Sequence, residues 1–413
     1  MRTTWNVWAW TVAAAALGTA LATAAPAPPD TLRTEALALN QITGEDATLG
    51  RIYQLLEDPR HTKPLLVEAA KIAQEKEQPL NITATYILAR TAQLLRDNDD
   101  AVVFYKTFID QAVRLQSSVK IGDGYTELSD VFYGAGKYED CEKTIDEFVA
   151  LKGDEDLQRM KPTALRQKVL VLAKEGKTEK ASELMDRLLK AGPDNPFNLQ
   201  TKARFLRETD KLADAAKAYE DAIDVVKKNE DLPKDLQEKW VNEIRYTLSG
   251  LYIDIGDVNS ASGQLKALLE KDPDNAGYNN DLGYIWADHD MNLPESEKLI
   301  RKALDEDHKQ QLKDKPDAKP DDLKPNPSYL DSLGWVLYKE KKLQEARKPL
   351  EEAVKDEDGQ SIEIYDHLGE VLQALGDKEG AVSAWKKGLD LPVTTKREKD
   401  KKAEVEKKLK ADQ

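Results

Sequence analysis

Apolar residues recur along most of this chain three and four positions apart, the spacing that lines side chains along one side of an α-helix. The helical stretches come in pairs. The first member of each pair sets a large residue beside a small one: Leu88-Ala89, Leu128-Ser129, Leu248-Ser249, Leu282-Gly283, Leu333-Gly334 and Leu368-Gly369, with Lys168-Val169 and Lys202-Ala203 as less typical occupants of the same phase. About twelve residues later the second member supplies another small residue: Ala101, Cys141, Ala181, Ala215, Ala261, Ser296, Ala346 and Ala381. Four positions beyond stands a larger apolar one: Tyr105, Ile145, Met185, Tyr219, Leu265, Ile300, Leu350 and Trp385. Three further on, Phe108, Phe148, Leu188, Ala222, Leu268, Ala303, Ala353 and Gly388 share that face. Turn residues such as Gly134-Ala135-Gly136, Glu175-Gly176, Ile255-Gly256-Asp257 and Leu375-Gly376-Asp377 separate the two members. The pattern predicts an all-α fold of about eight helix-turn-helix units.

Small residues at matched positions have a packing reason. Two helices joined by a short turn approach closely only where contact positions lack bulk, so Gly334 of one helix and Ala346 of the other are expected to mark the contact, with large neighbours filling the rest. Cys141, the single cysteine, occupies such a slot and is expected to be buried and unreactive.

These residues resemble the tetratricopeptide repeat, a helical hairpin with Leu-Gly early in its first helix, Ala and an aromatic in its second and Pro near its end. Residues 242–275 match well, with Leu248, Tyr252, Ala261 and Pro273 in phase, and residues 327–361 and 362–391 nearly as well. Lys168 and Lys202 depart from the expected leucine. The resemblance spans residues 82–391 and implies a tetratricopeptide-like α-solenoid. It also implies that the second, fifth, ninth and twelfth positions of each first helix face a groove. On this chain those positions hold Arg90, Arg166, Arg204 and Arg207 early, then Tyr246, Tyr284, Trp335 and Tyr338, and finally Glu363, Asp366 and Glu370. Arginine suits carboxylates and aromatics give rigid contact area, so the implied ligand is an extended peptide or a helix of another protein. The Lys-Asn pair with which some members hold a terminal carboxylate is absent: the corresponding positions hold pairs such as Tyr86 with Arg90 and Arg166 with Leu170.

Successive units start 40, 40, 34, 46, 34, 51 and 35 residues apart, so extra residues enter at four junctions. The longest insert, residues 308–328, is rich in Pro, Lys and Asp and reads as a loop. Residues 25–81 contain helical periodicity around Leu49–Leu56 and Leu65–Ile72 and read as a cap over the first unit. Residues 392–413 read as a charged capping helix with weak apolar spacing at Ala403, Val405 and Leu409. Residues 1–24 have a basic start at Arg2, an apolar run and the small-residue pattern Ala22-Thr23-Ala24, the signature of a secretory signal peptide. A periplasmic or secreted protein is therefore expected.

Composition narrows the function. A net charge of −15 repels nucleic acid and anionic membrane surfaces. The chain carries no His-Glu-x-x-His, no Gly-x-Ser-x-Gly and no phosphate-binding glycine loop, and its four histidines, His61, His289, His308 and His367, fall in different units. Nothing in the sequence calls for a catalytic residue, a metal or a cofactor. The expectation is a non-enzymatic scaffold of the cell envelope or exterior that binds another protein. The alternative is an accessory subunit of a polysaccharide-export or envelope enzyme complex whose aromatics contact glycan.

Overall fold

The computed structural model describes residues 28–411, apart from residues 76, 78, 317, 320–322 and 394. The expected signal peptide, residues 1–24, lies outside the described residues. Of the described residues 80% are helical, and none is in a strand. Its helices pack as two units, residues 28–231 and 232–411 of the described stretch, called here the first and second stacks. The first stack contains α1 (Pro29–Ala38), α2 (Glu45–Glu57), α3 (Pro59–Ala73), α4 (Ile82–Leu94), α5 (Asn98–Arg114), α6 (Ser118–Gly134), α7 (Tyr138–Ala150), α8 (Glu155–Lys174), α9 (Thr178–Ala191), α10 (Pro196–Glu208) and α11 (Leu212–Lys228). The second contains α12 (Lys234–Ile255), α13 (Val258–Leu269), α14 (Ala276–Asp288), α15 (Leu293–Asp314), α16 (Pro327–Lys339), α17 (Leu343–Ala353), α18 (Ile362–Ala374), α19 (Lys378–Leu389) and α20 (Lys396–Ala411).

Eight hairpins, α4–α5 through α18–α19, repeat one design, and the fold is a tetratricopeptide-like α-solenoid class. Each turn between the two helices of a hairpin holds a left-handed residue, Arg96, Gly136, Gly176, Asp210, Gly256, Asp290, Lys341 and Gly376, and the α14–α15 turn holds a second, Asn292. The amide after it reaches back to a carbonyl five residues earlier, as in Lys137 to Phe132 (2.9 Å) and Asp257 to Tyr252 (2.8 Å). This closes the helix end and turns the chain. Side chains then cap the second helix in several units, Asp97, Asp257 and Asp377 accepting from Asp100, Ser260 and Gly380 respectively.

All eight small residues of the second helices, Ala101 through Ala381, are fully buried, and so are the larger residues four positions on, from Tyr105 to Trp385. The close approach is finer than the sequence reading. A Cβ built on Gly334 would lie 2.4 Å from Leu350, one on Gly283 2.6 Å from Ile300, and one on Gly369 2.2 Å from Trp385. The glycine slot is therefore filled by the large residue one turn after the small one, and Gly334 meets Leu350. Ala346 and its equivalents admit the opposite backbone: Ser296 Oγ donates to the Gly283 carbonyl at 2.5 Å and Cys141 Sγ to that of Ser129 at 3.2 Å. Cys141 is buried, and burial pushes its thiol up to about 12, so it stays protonated.

One boundary and two local features differ from the sequence expectation. Residues 308–314, expected to begin a loop, continue α15 to Asp314. The inserted residues largely lengthen helices: α8, α12 and α15 run to 20, 22 and 22 residues. Polar helix-forming residues let a helix extend past its packed segment where solvent satisfies its outer face. Ala403 is exposed; Val405 alone of the three expected apolar contacts of α20 is fully buried, with Leu409 partly packed. Ahead of the repeats, α2 and α3 coincide with the expected periodic stretches, and α1 packs beside α3.

Candidate functional site

In the first stack the first helices α4, α6, α8 and α10 bring polar side chains into a network. Arg90 Nη1 donates to Glu127 Oε2 at 2.7 Å and to Gln93 Oε1 at 2.7 Å, and the Tyr105 hydroxyl donates to the same Gln93 oxygen at 2.7 Å. Burial opposes the charge on Arg90, but Glu127 and the tyrosines outweigh it and raise its pKa. Arg90 is thus occupied within the protein. Gln167 Nε2 of α8 donates to Asp130 Oδ1 of α6 at 2.7 Å. Asp130 is accessible to water at its surface, yet the surrounding protein desolvates it and Glu127 adds repulsion, pushing its carboxyl up to about 7 against the opposing pull of Arg90 and Arg204.

Arg166 differs from Arg90. Its guanidinium donates to Thr163 Oγ1 at 2.8 Å and to Asn198 Oδ1 at 3.5 Å, and lies 5.3 Å from the centroid of the Phe197 ring. All three partners are uncharged. Burial lowers the pKa of Arg166 and no carboxylate among the described residues offsets it. Phe197 is 48% exposed beside it. Arg204 and Arg207, farther along α10, are exposed.

The second stack gathers its expected residues more tightly. Trp335 stacks on His367 (centroids 4.0 Å, 16°) and on Tyr338 (5.1 Å, 18°), the Lys339 ammonium sits 5.2 Å from its ring, and its Nε1 donates to Asp288 Oδ1 at 3.0 Å. His367 is buried, with Nδ1 2.8 Å from Asp331 Oδ1. Burial disfavours its charge, but Asp331, with Glu363 and Asp366, outweighs that and raises its pKa. Tyr284 donates to Glu363 Oε1 at 2.7 Å and Tyr338 to Glu370 Oε2 at 3.3 Å. Tyr246 stands apart from this cluster: it is 44% exposed, donates to Asp281 Oδ2 at 2.7 Å and packs against Tyr278 at 5.3 Å.

The acidic residues expected to end the groove are met by the protein's own helix α20. Arg397 bonds Glu363 at 2.6 Å, and Lys408 bonds Asp366 at 2.7 Å and Glu370 at 2.6 Å. Lys401 stands 3.5 Å from Asp366, which is fully buried and also accepts from Trp385 Nε1 at 3.1 Å. Sequence reasoning missed Asp130, His367, Asp331 and the cations of α20. For α20 a signal existed, since Arg397, Lys401, Val405 and Lys408 are spaced four, four and three apart. The sequence ADHD, Ala287 to Asp290, ends α14 and serves α16: Asp288 accepts from Trp335, and Asp290 Oδ2 from Lys339 at 3.1 Å.

Two family models match the chain: the Psidin N-terminal tetratricopeptide repeats region over residues 141–248 and the tetratricopeptide repeat over residues 246–310. A curated relative, TPR repeat-containing protein PA4667 of Pseudomonas aeruginosa, is 30% identical over 237 residues, which is 57% of this chain and 34% of the relative. The chain thus spans about a third of that relative's length. Among solved structures, a tetratricopeptide repeat protein from Parabacteroides merdae superposes with a TM-score of 0.46 at 14% identity, covering 69% of this chain and 98% of that one. PilF of Pseudomonas aeruginosa gives 0.38 at 16% identity, covering 59% and 97%. The residues these two models match, 141–310, fall within the repeated hairpins.

Proposed function

We propose that this chain is a non-enzymatic scaffold that holds a peptide or helix of another protein against the first-helix faces of its hairpins, and that it works in the cell envelope or exterior. The export half of the reading rests on the sequence of residues 1–24. The observation that carries the binding half is Arg166: a partly desolvated cation, bonded among the described residues only to neutral groups, beside a half-exposed phenylalanine. A half-buried cation without a counter-charge has lost part of its hydration in the free protein, and a partner's carboxylate would compensate through a charge-assisted, bidentate bond. Phe197 offers apolar contact next to that anion site. The favoured partner segment is acidic with an adjoining apolar residue.

The glycan alternative draws less support from the aromatic cluster. A sugar ring needs a bare aromatic face, whereas Trp335 is stacked against His367 and Tyr338 and approached by Lys339. The test is site-specific photocrosslinking in cells from Arg204, on the first-helix face, and from the exposed Glu183 on the second helix α9. A protein captured from Arg204, with yield falling severalfold in Arg166→Ala, supports the reading. Capture from Glu183 and none from Arg204 overturns it.

A further inference from the structure

In the second stack, α20 lies where a further hairpin would place its first helix, packed on both α18 and α19. Its hold is mainly ionic. One side chain, Val405, is fully buried, Leu409 is partly packed, and the further links include Arg397 to Glu363, Lys401 and Lys408 to Asp366, Lys408 to Glu370, and Lys402 Nζ donating to the Leu389 carbonyl at 3.1 Å. Three of those cations and Val405 fall on one side of the helix, because their spacings are four, four and three. The start of α20 is closed by a reciprocal cap, the Thr395 amide donating to Glu398 Oε2 at 2.7 Å and the Glu398 amide to Thr395 Oγ1 at 3.1 Å. It is therefore a helix with its own N-terminal cap.

The surface beneath it cannot stay empty at low cost. Asp366 is buried, and without Lys401 and Lys408 it would be a buried carboxylate left with the Trp385 indole and the neighbouring charge of His367. Glu363 and Glu370 lose their cations too, and both accept from tyrosines of other helices, Tyr284 of α14 and Tyr338 of α16. The surface thus demands a cation-bearing helix, and α20 meets that demand through ion pairs to one buried carboxylate, Asp366, and two partly exposed ones, Glu363 and Glu370, with a single buried valine beside them.

We propose that this acidic face of the second stack recognises a basic amphipathic helix of a partner protein, with cations one turn before and about one turn after a buried branched residue, and that α20 is the internal stand-in it displaces. This deepens the scaffold reading and rests on it. Tethering gives α20 a high effective concentration, so the partner must exceed its contacts.

The experiment uses the full chain with Lys401→Glu and Lys408→Glu, which sets α20 against the acidic face. The probe is a fluorescent peptide of sequence KREKDKKAEVEKKLKA, the residues of α20. The peptide is expected to bind the double variant at least tenfold more tightly than the wild-type chain, and to lose that binding when its positions equivalent to Lys401 and Lys408 are glutamine. Hydrogen exchange on the wild-type chain is the second measurement, with α20 expected to exchange faster than α18 and α19. Equal binding to both chains, binding by the glutamine peptide, or exchange of α20 in step with α18 and α19 would overturn the proposal, as would exposure of α18 and α19 in the double variant. Concentration-dependent dimers of the wild-type chain would also overturn it, assigning the face to a second copy. Crosslinking from Arg204 is a separate readout in the first stack, so the scaffold reading can survive this failure.

Discussion

The two stacks are built from the same hairpin but differ in how tightly the helices meet and in what lies on the first-helix face. In the second stack three hairpins carry glycine in the slot, at Gly283, Gly334 and Gly369, and each glycine is overlain by a large residue. In the first stack the slot holds Ala89, Ser129, Val169 and Ala203, all buried. The first stack leaves Arg166 without a counter-charge, whereas the second covers its acidic side chains with α20. The comparison teaches that a repeat's packing rule and its surface chemistry vary independently: the same hairpin can present an unanswered charge or cover its own.

The largest effect should come from the tightest slot. Trp385 is fully buried, fills the space over Gly369 and donates to Asp366, so Trp385→Ala is expected to destabilise the second stack by about 3–5 kcal/mol. Met185→Ala, at the same slot of the first stack, is expected at about 2–3 kcal/mol; urea unfolding of both variants checks the ranking. Gly334→Ala should cost about 1–3 kcal/mol because Leu350 blocks the new methyl, while Ala203→Gly should cost about 1–2 kcal/mol through backbone entropy and the loss of a buried methyl, with no overpacking. Equal losses would erase the distinction between the slots.

Protonation sharpens the comparison next. The raised pKa of His367 means that the folded state favours its protonated form. That stability is fully present below the unfolded value near 6.5 and is lost as pH rises through the higher folded value. Asp130, at about 7 in the folded chain, is likewise easier to fold when protonated. Its favourable contribution is present below about 3.9 and lost as pH rises through 7. Asp130→Asn should therefore flatten the pH dependence of amide exchange in the first stack between pH 4 and 8, about the interval those two values bracket. His367→Gln should flatten the second stack's dependence above about pH 6.5. The smallest effect concerns the turns: Lys341→Gly should gain about 1 kcal/mol by relieving a left-handed lysine, and Gly376→Ala should lose about as much, both read as shifts of the urea midpoint.

Much of the architecture was legible because it is written at short range. A three-and-four periodicity and a small residue about twelve positions after the Leu-Gly pair located every hairpin, and each predicted slot is buried. The surface was only partly legible. Arg90 stands where the family resemblance implied, but its partner Glu127 is 37 residues away, and no local spacing announces such a pair. Lys408 and Asp366 are 42 residues apart. The resemblance implies a groove position for Trp335, and His367 and Tyr338 stack on its ring. Polar residues on a first helix read alike whether they face solvent, a partner or the protein's own next helix.

The contrast between an unanswered and a self-covered face is tested most directly by carbodiimide crosslinking of the full chain, which joins a lysine to a carboxylate only where they touch. Mass spectrometry is expected to find Lys408 joined to Glu370, whose charged atoms lie 2.6 Å apart, alongside the surface control Lys342 with Glu297 at 2.7 Å. The control link without any link from α20 to α18 would contradict the account.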